Sequence, residues 1–260
     1  MRWVCDGMLR YLQFPMLAEL HGFRHGIFTR FSVAQDGRKK PFNIGRGGPF
    51  LENETLSNRR RMIRATGFPT AVYARQVHGA DVATWTADAV PSTFDETASA
   101  DLQGDALLTR ATGTGLVIQT ADCQSVMLAD PVARVVANVH AGWRGSIQNI
   151  LERTVQTMKQ RFGCRPEHLI CGIGPSLGPC CAEFIHFRRE IPKSYWVYRR
   201  EGDRFDFWRM STDQLVKTGV KRRNITVSGL CTRCNPQLFF SYRGQGRSAG
   251  RFAAVIGLTS

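Results

Sequence analysis

The chain has 260 residues, 43% hydrophobic and 22% charged, which are the proportions of an ordinary soluble protein with one substantial core. No window approaches the roughly twenty apolar residues of a membrane span, and the opening MRWVCDGMLRYLQFPML is interrupted by Cys5, Asp6, Gly7 and Arg10, so a cytoplasmic protein without a secretory signal is expected. Lys and Arg number 35 against 21 Asp and Glu; the resulting charge of +14 favours anionic partners, and eight cysteines without a framework suit a reducing compartment.

In chain order, residues 21 to 31 (HGFRHGIFTRF) have the character of a strand, and Arg38 to Pro49 is a basic, glycine-rich loop. Its GRGG lacks the full spacing of a phosphate cradle. Asn53 to Thr66 reads as a helix stopped at Gly67-Phe68-Pro69, and the cluster Arg59, Arg60, Arg61 and Arg64 on it reads as a solvated face. Ala71 to Val77 and Val82 to Trp85 read as strands joined at His78-Gly79-Ala80-Asp81, followed by a polar loop from Ala87 to Ser99 and a short strand in Gly104 to Thr109.

The stretch Gly115 to Phe162 carries the strongest pattern. Leu116 to Ile118, Val126 to Leu128 and Val135 to Val139 are apolar runs, the last two separated by an Asp130-Pro131 turn signal. From Ile147 the apolar residues recur at helical spacing, with Gly163 where a left-handed terminating residue belongs. Later, HLICGIG reads as a strand entering a Gly/Pro turn, and Ser211 with Gln214 reads as the capping box of a short helix through Lys217. Asn224 to Leu230, Leu238 to Tyr242 and Phe252 to Leu258 read as late strands. The expectation is a single α+β domain with mixed β-sheets flanked by helices.

Six histidines are present, and two of them, His78 and His140, fall at strand ends beside glycine turns; Cys123 shares that placement. Two imidazoles and one thiolate suit zinc, and three protein ligands leave the fourth tetrahedral position open to water or substrate. Copper is an alternative for the same donors. Three other uses of these residues stay open. Scattered His and Cys also serve as ordinary core and surface residues. Cys231-Thr-Arg-Cys234 with Cys180-Cys181 offers a closed four-thiolate site, although adjacent cysteines are poor zinc chelators compared with a second C-x-x-C. Cys123 as nucleophile, His140 as base and Asp122 or Asp105 as acid would give a cysteine hydrolase or amidase. A basic nucleic-acid-binding module is the non-enzymatic alternative, but no stacked-aromatic strand or zinc-finger spacing supports it.

RQVHGADV (75 to 82), GDALLT (104 to 109), TADCQSVMLADP (120 to 131), HAGWRG (140 to 145), GIGPSLGPCCAEF (172 to 184), CTRCNPQLFFSYR (231 to 243) and GRFAAVIGL (250 to 258) resemble, in order, the motifs of the YfiH family. That family has been called laccase-domain, multicopper polyphenol oxidase and peptidoglycan editing factor, and is now described as purine nucleoside phosphorylase. The resemblance runs from about Gly26 to the C-terminus, and residues 1–20 are expected as a variable N-terminal segment before a metal-dependent catalytic domain over residues 21–260. It implies zinc on His78, Cys123 and His140. It also implies phosphorolysis of adenosine, inosine and methylthioadenosine and deamination of adenosine, hence purine nucleosides and phosphate as partners, without specific nucleic acid or membrane. Arg75, Arg144 and Arg243 lie inside matching motifs and are the candidates for holding anionic substrate. Multicopper centres use paired His-x-His sets, and this sequence has none, which weighs against polyphenol oxidation. Members commonly read FFSYRRDG where this chain has Ser241-Tyr242-Arg243-Gly244-Gln245-Gly246, and the Gly-Asp pair usual near Phe50 to Asn53 is absent.

Overall fold

The structure, a computed structural model, describes residues 1–34, 36–86 and 102–259. The expected polar loop from Ala87 to Ser99 lies outside the described residues. The chain opens with a hairpin of β1 (Arg2–Asp6) and β2 (Leu9–Gln13), then α1 (Pro15–Ala18) and β3 (Phe23–Phe28). A ribbon of β4 (Phe31–Val33) and β5 (Lys39–Pro41) leads to α2 (Glu52–Thr66), β6 (Thr70–Arg75), β7 (Val82–Trp85), β8 (Leu102–Gln103) and β9 (Ala106–Thr109). β10 (Thr114–Thr120), β11 (Gln124–Asp130) and β12 (Val135–Ala141) run into α3 (Trp143–Ile147) and α4 (Ile150–Phe162). The last part holds β13 (Ile170–Ile173), α5 (Phe187–Glu190), β14 (Arg199–Arg200), β15 (Arg204–Phe205), α6 (Phe207–Lys217), β16 (Ile225–Val227), α7 (Tyr242–Gln245) and β17 (Phe252–Leu258).

Two mixed sheets dominate, one ordered β1-β2-β3-β17-β10-β6-β8 and the other β16-β13-β11-β12-β9-β7. They are formed by period-two side-chain alternation in strands apolar on both faces. In β10, Leu116 and Ile118 face the other sheet, while Val117 turns outward with Ala253 and Val255 against Met62 and Ile63 of α2. In β11, Met127 and Ala129 join the shared core, and Val126 and Leu128 pack under Leu151, Val155 and Met158 of α4. The result is four layers, helix, sheet, sheet and helix. Buried Asn138 ties the two sheets, its Nδ2 donating to Leu116 O (2.9 Å) and Ala254 O (2.8 Å). Among the described residues no helix is long and apolar enough to cross a membrane.

Residues 1–20 are built into the first sheet and its core, with Leu12, Phe14 and Leu17 buried between the sheets. Phe14 N donates to His25 Nε2 (2.8 Å), and a Cβ on Gly172 would come within 2.4 Å of the Phe14 ring. Burial, reinforced by the charge of Arg2, lowers His25 to about 4, so this neutral histidine serves packing. β6 and β7, joined at His78-Gly79-Ala80-Asp81 as expected, lie in different sheets. Other expectations are corrected. The segment Leu238 to Tyr242 is no strand: Phe239 and Phe240 are driven into the core and α7 follows. Helix α6 starts at Phe207, because Asp206 caps it by accepting from Arg209 N; Ser211 instead bonds Gln124. The helix expected from Ile147 is broken at Asn149, whose φ is 58°, and Gly163 ends it at φ 67° as expected.

The buried Phe14 ring gives the expected outcome that Phe14→Ala destabilises the protein by about 3–5 kcal/mol. Urea unfolding monitored by tryptophan fluorescence checks this; an unchanged midpoint would show that the first twenty residues pack on the domain without supporting it.

Candidate metal and ligand site

Strand register brings the site together. β11 and β12 pair with Ser125 opposite His140 and Gln124 opposite Ala141, so Cys123, one residue before β11, lands beside the end of β12. His140 shares the face of Val136 and Asn138, which looks into the space between the sheets. His78 arrives from the connection between β6 and β7, in a left-handed conformation with φ 61°. The Gln76 side chain fixes that connection by exchanging two hydrogen bonds with the Gln119 backbone, at 2.9 and 3.0 Å.

Asp105 holds the arrangement. Its carboxylate, fully buried, accepts from the backbone N–H of Val77 (3.1 Å), His78 (3.0 Å) and Gly79 (2.8 Å), and it contacts His140 Nδ1 at 2.7 Å. The bond to Nδ1 sets the His140 tautomer and leaves Nε2 as its available nitrogen. Asp105 O also accepts from His140 N (2.7 Å). Two glycines of His140-Ala-Gly-Trp-Arg-Gly145 allow the close approach: a Cβ on Gly142 would lie 3.2 Å from Cys123 Sγ and 3.3 Å from His78 Cδ2, and one on Gly145 would lie 2.7 Å from Gly79 O.

The ligand atoms of His78, Cys123 and His140 lie within 4.8 Å of one another, and the two imidazoles meet edge to face at 4.9 Å between ring centroids. These are the donors and the convergence that a zinc or copper ion requires, with Asp105 as the outer partner that orients one imidazole. Burial by itself pushes the Cys123 thiol up, but the His140 charge and hydrogen bonds from both histidines outweigh it and bring it down to about 6. Burial lowers His140, yet Cys123 and the Asp105 hydrogen bond raise it to about 9. Asp122 is engaged by groups outside the trio. With φ at 94°, it accepts from Thr232 Oγ1 (2.6 Å) and Arg243 N (2.6 Å).

The trio opens into a cavity of about 1030 Å³. Arg46, Arg59, Arg75, Arg243, Arg247 and Arg251 line it together with Tyr73, Trp143, Phe184, Phe207 and Tyr242. The expected Arg75 and Arg243 are therefore present in the lining. Arg144 is not among the lining residues: it is exposed on α3 and its guanidinium lies over the Trp143 ring at 4.3 Å. Arg59 is the reverse case. Expected on a solvated face, it is 2% exposed, donates to Ile44 O (2.8 Å) and stacks on Tyr73 at 4.2 Å. The Gly45-Arg46-Gly47-Gly48 loop also reaches the cavity. Its spacing carries no signal of that placement, and neither does that of Arg247 and Arg251.

Two outcomes are expected. Asp105→Asn weakens metal binding by roughly 10- to 100-fold, the usual effect of losing an outer-shell partner; competition with a chromophoric chelator reads it, and an unchanged affinity would contradict the assigned role. In the metal-free protein, Cys123 alkylation by iodoacetamide rises as pH increases through about 6, where its thiolate forms. His140→Ala moves that rise to higher pH; a rise at the same pH in both proteins would contradict the coupling.

Residues 24–259 match the model of the multi-copper polyphenol oxidoreductase laccase family. The chain is 35% identical over 211 residues to a purine nucleoside phosphorylase of Deinococcus radiodurans, covering 77% of this chain and 76% of that protein. It is 31% identical to the purine nucleoside phosphorylase YfiH of Escherichia coli, covering 77% and 79% respectively. The crystal structure of YlmD from Geobacillus stearothermophilus superposes with a TM-score of 0.83 at 29% identity, covering 99% of both chains. With the convergent trio and the shared α+β architecture, these likenesses establish that the chain belongs to the laccase-like family of YfiH and YlmD.

Proposed function

We propose that this protein is a zinc-dependent purine nucleoside phosphorylase that also deaminates adenosine. The observation that carries the reading is the placement of His78, Cys123 and His140 in a cavity with an arginine-rich lining and several aromatic rings. The names of the relatives give the substrate class, and the cavity supplies the matching chemistry. A divalent ion bound by the trio supplies Lewis-acid chemistry.

The chain's own residues carry the remaining work. Among the lining residues, Trp143, Phe184, Phe207 and Tyr242 offer flat apolar surface for a purine. The lining arginines suit inorganic phosphate, the nucleophile that attacks the anomeric carbon as the base departs. Three contacts that hold Arg243 support that role: its N–H donates to Asp122, its Nη1 to Cys181 O (3.2 Å), and its guanidinium lies 5.9 Å from the Phe184 ring centre. Arg75 is oriented by a hydrogen bond to Gln103. Buried Arg59 places fixed positive charge deeper in the wall. The same charges support a small anion as the partner of a chain with net charge +14.

One geometric feature favours a second reading. Cys123, His140 and Asp105 form a hydrogen-bonded series, the arrangement of a cysteine nucleophile, its base and an orienting acid. A cysteine hydrolase or amidase of this kind retains activity after chelation, whereas the phosphorylase loses it.

Incubation of the purified protein with adenosine, with and without phosphate, tests the proposal. Adenine and ribose 1-phosphate formed only with phosphate, and inosine formed without it, are the expected products; neither product from metal-loaded protein would overturn the reading. Arg243→Ala is expected to raise KM for phosphate by about 10- to 100-fold, since a hydrogen bond to a charged group contributes roughly 1.5–3 kcal/mol. Initial rates at varied phosphate measure it, and an unchanged KM would remove Arg243 from the anion site.

A further inference from the structure

A second group of metal-binding side chains lies outside the cavity lining. Cys180, Cys181, Cys231 and Cys234 bring their sulfur atoms within 4.8 Å of one another, with Cys180 to Cys234 at 3.6 Å and Cys181 to Cys234 at 3.5 Å. All four are free thiols. A tetrahedral zinc with Zn–S of about 2.3 Å places its sulfurs about 3.8 Å apart. The observed spacing is close to the edge of that tetrahedron.

The backbone explains how neighbouring cysteines meet this requirement, against which their adjacency in sequence weighs. Cys181 N and Ala182 N both donate to Gly178 O at 2.9 Å, so the chain turns through Pro179 and delivers both sulfurs to one place. On the facing segment, Asn235 N donates to Cys231 O (3.0 Å), closing the turn of the C-x-x-C. Gly178 allows the two segments to touch: a Cβ there would lie 3.1 Å from Cys231 Cβ. Its N–H donates to Cys231 Sγ at 3.3 Å, the type of bond that supports a metal-bound thiolate. Arg204 and Arg243 donate to the carbonyls of Cys180 and Cys181, both at 3.2 Å, and bring positive charge to a centre that would carry excess negative charge.

We propose that Cys180, Cys181, Cys231 and Cys234 form a closed tetrathiolate site for Zn(II), separate from the His78, Cys123 and His140 trio. Four protein ligands leave no position for substrate, so this site is structural. It staples the turn before Phe184 to the segment before Arg243, and thereby braces two parts of the cavity wall. Binding displaces the four thiol protons and involves no change of oxidation state. The four-sulfur site is independent of the proposed enzymatic reaction.

The full chain carrying His78→Ala, Cys123→Ala and His140→Ala, prepared with reductant, equilibrated with Zn(II) and desalted, tests the site. One zinc per chain is expected, with an all-sulfur X-ray absorption shell at about 2.3 Å. No retained zinc, or a shell containing nitrogen or oxygen, would overturn the proposal. Wild-type protein titrated with Co(II) gives an answer that does not depend on the variant folding. Thiolate-to-cobalt charge transfer should correspond to five cysteine ligands per chain, four from this site and Cys123; an intensity corresponding to Cys123 alone contradicts it. Disulfides among the four cysteines in zinc-replete protein, detected by non-reducing peptide mapping, also overturn it.

Discussion

The buried carboxylate of Asp105 is the constraint on which the candidate site depends. A charged group taken out of water is costly unless hydrogen bonds replace its hydration. Here three consecutive backbone N–H groups and one imidazole do so. That solution requires Val77, His78 and Gly79 to curl around one acceptor, which puts His78 into its left-handed conformation. It also requires His140 to present Nδ1 inward. Both histidines are thus oriented by the same carboxylate, and the pairing of β11 with β12 brings Cys123 to them.

Around that fixed centre, the wall of the cavity is assembled from distant parts of the chain. Arg46 and Arg59 come from the region before β6, Arg75 from its end, and Arg243, Arg247 and Arg251 from the region after β16. Concentrating cationic side chains in a concave surface strengthens their field on an anion relative to the same charges spread over a convex one. Asp122 links the two regimes, since it precedes Cys123 in sequence and holds the Arg243 backbone and Thr232 in space.

Much of this was legible in the sequence, for identifiable reasons. β10, β11 and β12 are apolar on both faces, so their runs stand out, and α4 has a clear helical stripe ended by a glycine. Strand ends beside glycine turns single out His78, Cys123 and His140, whose ligand atoms the fold brings within 4.8 Å of one another. What escaped was set by tertiary packing. Arg59 resembles its exposed neighbour Arg60 in sequence, and its contacts with Tyr73, Ile44 and Gln119 distinguish it. Phe239 and Phe240 follow a strand-like composition, yet burial in the shared core bends them into a loop before α7. The first twenty residues matched no motif but complete a sheet. Asp105 was visible as an acid, while its role depends on a turn twenty-six to twenty-eight residues earlier.

The most direct measurement is an anomalous-difference map at the zinc and copper absorption edges from crystals of the wild-type protein grown with both metals. A peak bonded to His78, Cys123 Sγ and His140 Nε2, with Asp105 on His140 Nδ1, is the expected result. A map without that peak, or one in which His140 turns Nδ1 to the metal and leaves Asp105, would contradict it.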